Sequence, residues 1–437
     1  MAHEIITEKN ARDISLERAA VLKSRIQDYI DAKDQIPSGM DDPEKIKERK
    51  ARILKVLKGT EEDWNNWHWQ VSARVTDPET LDQIIGLSDK QKEEIVRVGR
   101  KFRWAISPNF LSLIGDEDPM NHYDNPIFLQ SIPIGLELMN EIGNADPMGE
   151  EFTNPADCIT RRYSDRLIIN VTNQCGMYCR HCQRRRNIGE FDRPASREAL
   201  ENALQYIRET PEIRDVLITG GDPLTLSDEI LDWLLGELDA IDHVEIKRIG
   251  TRMPITIPQR VTEDFCSMLK KHHPLFMNVQ CNHPLELSPD VRAALGRLAD
   301  AGIPLGNQAV LLKGINDDKH VMKKLNQDLL KCRVKPYYIF HAKDVIGTGH
   351  FRTSVDAGIE IMEHLVGYTS GLARPTFIVN APDGFGKTPM LPEYVMAHGR
   401  DKMLLRTWEG RAFEYPNKDF EGDIRDLESE KTADIVT

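Results

Sequence analysis

Leu167-Ile-Ile-Asn-Val171-Thr-Asn-Gln-Cys175-Gly-Met-Tyr-Cys179-Arg-His-Cys182 is the stretch that organises the rest of the chain. It opens as a short apolar, β-branched run, the pattern of a buried strand, and passes directly into a loop that holds three cysteines. Outward from it, similar runs return at Val216-Leu-Ile218, Val244-Glu-Ile246, Leu275-Phe-Met-Asn-Val279, Gln308-Ala-Val-Leu-Leu312, Tyr337-Tyr-Ile-Phe340 and Thr376-Phe-Ile-Val379. Amphipathic segments lie between them at 196–208, 227–238, 288–301 and 319–330, several opening on a capping serine: Ser196, Ser227, Ser288. Alternation of strand and helix over about six units predicts a parallel α/β architecture, and barrel topology fits the count. Spacing alone leaves a full barrel, a partial barrel and an open sheet undistinguished. In such folds the chemistry sits beyond the carboxyl ends of the strands. The cysteine loop, Thr219-Gly220-Gly221-Asp222, Lys343 and Asn380 all fall there, which predicts one shared site.

Composition narrows the class. The chain has 437 residues, 40% hydrophobic, with 57 Lys+Arg against 70 Asp+Glu for a formal charge of -13. That is globular, long enough for a large core, and too acidic to attract nucleic acid or an anionic membrane surface by its overall field. No stretch reaches the roughly 18 apolar residues of a spanning helix, and the first residues carry no apolar signal core, so a cytoplasmic protein is expected. Seven cysteines in such a chain do not suggest a disulfide framework. Residues 1–154 read as mostly helical and polar, with helical spacing from Leu16 to Ile26 and from Pro43 to Leu57. Trp64-Asn-Asn-Trp67-His-Trp69 reads as a buried aromatic cluster or subunit contact, with a ring-stacking ligand site as the alternative.

Three thiolates spaced x3 and then x2 can converge on one metal centre, and thiolates suit zinc or iron–sulfur. A structural zinc wants four protein ligands, and no fourth cysteine lies near. Three ligands on a four-iron cube leave one iron open. A zinc completed by a distant residue, or three unrelated cysteines, are the alternatives. Cys-x3-Cys-x2-Cys after the first barrel strand resembles the radical S-adenosylmethionine (SAM) superfamily. That resemblance implies a 4Fe-4S cluster on Cys175, Cys179 and Cys182, with SAM on the open iron and a 5′-deoxyadenosyl radical formed on its one-electron cleavage. It also implies SAM contacts at His181, just before the last cysteine, and at the second-strand motif Gly220-Gly221-Asp222.

Asn380-Ala-Pro-Asp-Gly-Phe-Gly-Lys387-Thr-Pro is the second signal. A lysine behind a Gly-rich turn suits a phosphate, but this is not a Walker loop. The other readings are a Schiff base with pyridoxal phosphate (PLP) and an ordinary surface lysine. Together the two signals resemble the lysine 2,3-aminomutase family, which uses both SAM and PLP. The resemblance covers about 155–395 and extends into the N-terminal helices. It implies a radical SAM-type partial β/α barrel (155–395), an N-terminal helical region with oligomer contacts (1–154) and a short C-terminal extension with an acidic tail (396–437). Lys387 is then the PLP lysine. In Arg161-Arg162-Tyr163-Ser-Asp-Arg166, Arg162 and Arg166 meet the PLP phosphate and Tyr163 the cofactor pocket; read without the family, that run is a solvated charge cluster. Arg184 meets the substrate α-carboxylate, and Asn278, Gln280 and Gln308 meet SAM, although the family's lysine enzymes carry His at the position of Gln280.

Two departures bear on the substrate. Where the lysine enzymes hold the distant ammonium with two aspartates, this chain has Lys343 and Asn380. A lysine side chain there meets a like charge, whereas a carboxylate gains an ion pair and an amide hydrogen bond. The expected substrate is a dicarboxylic amino acid, L-glutamate before the shorter aspartate, isomerised by moving its amino group from C2 to C3 to give β-glutamate. The alternative for Lys343 is a solvent-facing pair with Asp344. No cysteine follows Cys332, so the C-terminal zinc cluster of some family members is not expected. The expected partners are the small-molecule substrate, an electron donor such as flavodoxin or ferredoxin, and further copies of the chain in a dimer or tetramer, with no nucleic acid and no membrane. The competing readings are an aminomutase for lysine or another amino acid, a radical SAM enzyme without PLP, and a non-catalytic metal-binding scaffold.

Overall fold

The computed structural model describes residues 10–115, 119–139, 143–188 and 191–418. The acidic tail expected from Glu421 lies outside the described residues. Two compact units divide the chain, Met1–Met390 and Leu391–Thr437.

The first unit is built on a nine-stranded sheet in chain order: β1 (Ile159–Arg161), β2 (Arg166–Asn170), β3 (Asp215–Thr219), β4 (Ile246–Thr251), β5 (Leu275–Val279), β6 (Leu305–Leu311), β7 (Lys335–His341), β8 (Thr376–Asn380) and β9 (Lys387–Met390). Strands β2 to β8 run parallel, and β1 and β9 pair antiparallel at the two edges. No backbone ladder joins β1 to β9, so the barrel is partial. Along β2 and β3 every second residue is buried, Leu167 and Ile169, then Val216 and Ile218. Those residues join the core, while the intervening Ile168, Leu217 and Thr219 line an interior cavity. The period-2 alternation of a strand thus separates the packing from the site.

The crossover helices explain the handed, parallel order. Ser196, Ser227 and Ser288 each cap one by accepting from the backbone N–H three residues on. The helix Asp228–Asp239 buries Leu231, Leu234, Leu235 and Leu238 on one face, each contributing roughly 1.5–3 kcal/mol. In the N-terminal part, Pro43–Leu57 forms the expected helix behind the Asp42 cap. Trp64 is buried in the core and Trp67 and Trp69 pack against it, so the tryptophans are core and not a stacking platform.

One expectation needs correcting. The run at 244–246 is only the approach to β4, which extends through Thr251. Its charged residues hid it: Lys247 is buried and ion-paired with Asp239, and Arg248 Nε donates to Asp215 on β3 at 2.7 Å. Behind its Gly-rich turn, Lys387 begins β9, in register with Asn380 on β8. In the second unit, β10 (Val395–His398), β11 (Lys402–Arg406) and β12 (Ala412–Pro416) form an antiparallel sheet. Its strands bury no residue, so the alternation that betrays a half-buried strand is absent. Among the described residues, no helix is long and apolar enough to cross a membrane.

Candidate active site

The inward faces of the strands and the loops beyond their carboxyl ends bound one cavity of about 380 Å³, within the usual size of a small-molecule site. It brings together Cys175, Cys179, Cys182, His181, Gly220, Gly221, Asp222, Arg162, Tyr163, Arg166, Arg184, Asn278, Gln280, Gln308, Lys343, Asn380 and Lys387. Every residue singled out from the sequence therefore reaches the same space.

At one end lie the cysteines. The glycines of the second-strand motif serve the chain itself: Gly220 has φ +133°, and a Cβ on it or on Gly221 would strike the backbone of Thr172 or Gln174. Asp222 N–H donates to Gln174 O at 2.7 Å, tying this loop to the cysteine loop. The Asp222 carboxylate accepts from Thr251 Oγ1 (2.6 Å) and from the backbone N–H groups of Leu224, Arg252 and Met253. Its work in this structure is to clamp loops together. His181 is buried, with Nε2 3.4 Å from Asn282 Nδ2. Burial, then the charges of Arg252 and Arg185, keep its ring neutral. Sequence reading missed Arg252, which donates from Nη1 to Cys179 Sγ at 2.8 Å and from Nη2 to Gln130 and Glu286.

At the other end lie the cations. Tyr163 has the Arg166 guanidinium 4.0 Å from its ring centroid and the Lys387 ammonium at 5.1 Å. Lys387 is an exposed residue whose pKa is still pushed down by desolvation, partly offset by Tyr163, whose hydroxyl accepts from its ammonium at 3.5 Å. Lys343 is not paired with Asp344, which faces Arg352 at 3.1 Å. Its ammonium contacts Gln183 Oε1 and is pushed down to about 7 by burial and then by Arg162 and Arg184. A second residue missed from sequence is Glu150. Its buried carboxylate accepts from Arg184 Nε (3.0 Å) and Nη2 (2.9 Å), from Arg162 Nη2 (3.1 Å) and from Arg186 Nη2 (3.4 Å). Burial alone would raise this carboxyl, but the three arginines outweigh it and hold it below the usual range. Glu150 lies in a polar segment with no periodic signal, so only its proximity to the arginines reveals it.

The residues fit the groups that the sequence implies. Burial pushes the Cys175 and Cys182 thiols up, and neighbouring thiols add to it; ionising such a set calls for a strongly cationic centre, which a metal cluster supplies. The donor set, three thiols lining one cavity, is of the kind that suits iron–sulfur. His181 Nδ1, Arg252 Nε, Asn278 Nδ2 and Asn380 Nδ2 are buried without a partner and belong to residues lining the cavity. Each such orphan costs about 1–3 kcal/mol, so the cavity suits polar ligands.

Comparison with known proteins agrees. A model described as the radical SAM superfamily matches residues 169–325, which contain the cysteine loop, and one described as lysine-2,3-aminomutase matches 362–435, which contain Asn380 and Lys387. A glutamate 2,3-aminomutase of Clostridioides difficile is 58% identical over 96% of this chain and 99% of its own. The L-lysine 2,3-aminomutases of Acetoanaerobium sticklandii and Clostridium subterminale are 46% and 47% identical over 82% and 80% of this chain, and 86% and 83% of theirs. The chain belongs to the lysine 2,3-aminomutase family of radical SAM enzymes. It is therefore an isomerase whose cofactors are a 4Fe-4S cluster, SAM and PLP, and it needs an electron donor.

Proposed function

We propose that the chain moves the amino group of L-glutamate from C2 to C3, giving β-glutamate. The observation that carries this reading is the pair Lys343 and Asn380, a cation and a neutral amide that line the same cavity as Arg184 and Lys387. Asn380 Nδ2 lacks a protein partner and the Lys343 ammonium meets only the neutral Gln183 at close range, so both favour an incoming carboxylate. A lysine substrate would bring its ammonium against that of Lys343. The 58% identical relative bears the name glutamate 2,3-aminomutase, which supports the same substrate.

When bound, the cluster with SAM supplies a 5′-deoxyadenosyl radical, and PLP carries the amino group between neighbouring carbons. The chain's own residues bind and orient. Cys175, Cys179 and Cys182 hold the cluster, while His181, Gly220, Gly221, Asp222, Asn278, Gln280 and Gln308 form the SAM side of the cavity. Lys387 would hold PLP, and its lowered pKa leaves more of its amine neutral for that role. Arg162 and Arg166 take the phosphate with planar forks, and Tyr163 packs beside them. Arg184 fixes the α-carboxylate, while Lys343 and Asn380 fix the γ-carboxylate, so both ends of the substrate are pinned and C2 and C3 stay between them. The enzyme works in the cytoplasm as a homodimer or homotetramer, with contacts from the 1–154 region, and takes its electron from a flavodoxin or ferredoxin.

The test is kcat/KM for L-glutamate, L-aspartate and L-lysine with the anaerobically reconstituted enzyme. Glutamate should lead; turnover of lysine without turnover of glutamate would defeat the reading.

A further inference from the structure

Arg252 has no part in the reading above, yet among the described residues it is the charged side chain that donates to a sulfur of the three cysteines, whereas Arg74 reaches only the backbone carbonyl of Cys175. It is 6% exposed. Asp222 accepts from its backbone N–H at 2.7 Å. Its Nη2 donates to Gln130 Oε1 at 2.8 Å and to Glu286 Oε2 at 3.0 Å. Glu286 is fully buried and is itself fixed by the backbone N–H groups of Asn282 (2.9 Å) and His283 (3.0 Å) and by Gln130 Nε2 (3.0 Å). The arginine is therefore anchored at both its main chain and its guanidinium, and cannot swing from the sulfur. Its Nε has no protein partner, although the residue lines the cavity.

We propose that Arg252 is the cationic hydrogen-bond donor that sets the reduction potential of the cluster held by Cys175, Cys179 and Cys182. A charge-assisted N–H bond to a ligand sulfur draws density from the thiolate and stabilises the state with one more electron. In a dry site that effect is poorly screened. Glu286 lies behind the guanidinium, so its negative charge opposes Arg252 from a greater distance and trims the effect. Arg252 is thus a positioning and tuning residue; it eases electron entry, and no step of the isomerisation passes through it. The proposal rests on the cluster occupying the three cysteines.

The test is a redox titration of the reconstituted enzyme without SAM, followed by the electron paramagnetic resonance signal of the reduced cluster, with iron and sulfide measured in parallel. Arg252→Gln should lower the reduced-to-oxidised ratio at a fixed potential about tenfold, a shift of ~59 mV to more negative potential for one electron. Arg252→Lys should shift the same way but less. Glu286→Gln should shift the opposite way. Damage to packing alone has no reason to give opposite signs, so an unmoved potential in Arg252→Gln with cluster retained overturns the proposal. If Arg252→Gln retains no cluster, the other two variants decide: shifts of the same sign, or none, overturn it. A wild-type enzyme without iron and sulfide would remove the cluster reading itself, which the metal analysis distinguishes from failure of the arginine.

Discussion

The cysteine end and the lysine end of the cavity are built by opposite means. At the cysteine end, short buried groups lock backbone to backbone: Asp222 clamps three loop N–H groups and the Thr251 hydroxyl, and Glu286 clamps two N–H groups. At the lysine end, long cations from separate segments converge on a single carboxylate, Glu150, and Lys387 stands on the exposed edge strand β9. The first arrangement suits a radical-generating chemistry that the whole superfamily shares and that tolerates little movement. The second suits selectivity, because one charge exchanged at the end of a flexible side chain changes the ligand without disturbing the fold.

The comparison predicts different failures for damage at the two ends. Cys179→Ser should abolish turnover and the iron content together, while Lys387→Ala should abolish turnover and the protein-bound PLP absorbance but leave iron intact. Loss of iron in the lysine variant would show that the two ends are not separable. Next in size, Lys343→Asp with Asn380→Asp leaves carboxylates facing a carboxylate. An uncompensated buried charge costs about 3–5 kcal/mol, so kcat/KM for glutamate should fall by roughly 150- to 4,000-fold; steady-state kinetics with an unchanged cluster spectrum checks it.

Glu150→Gln should have a smaller effect. One lost charged acceptor is worth about 1–3 kcal/mol, which is roughly 5- to 150-fold in glutamate KM. PLP affinity should weaken with it, because Arg162 and Arg184 share that carboxylate. A KM that falls would mean Glu150 competes with the ligand and does not orient its receivers. The last prediction is in pH, where no residue is replaced. Burial lowers Lys343 from 10.5 to about 7, so the ammonium is present below that pH and lost above it, and a carboxylate binds the protonated form. Since kcat/KM reports the free enzyme, it should fall by about tenfold per pH unit above about 7. Lys343→Gln should remove that limb, and a limb that persists would assign it elsewhere.

The two ends also differ in how much of them the sequence reveals. The cysteine loop is contiguous and follows an unmistakable strand, so its ligands could be named before any coordinates. Lys387 and Asn380 are seven residues apart, and family likeness found both, but their direct pairing across β8 and β9 was hidden because β9 is a short exposed edge. Arg252 was missed for a definite reason. With the strand read as stopping at Ile246, residue 252 did not lie beyond a carboxyl end, and only the buried ion pairs of Lys247 and Arg248 explain why β4 carries on to Thr251. Glu150 offers no periodicity and no motif; it matters only because folding brings three arginines around it.

The central claim is the migration of nitrogen on glutamate. Anaerobic enzyme with SAM, PLP and a chemical reductant, given 13C,15N-labelled L-glutamate, should yield an NMR spectrum in which 15N couples to C3, the signature of β-glutamate. A spectrum in which 15N stays on C2, while labelled L-lysine under the same conditions becomes β-lysine, would contradict the account.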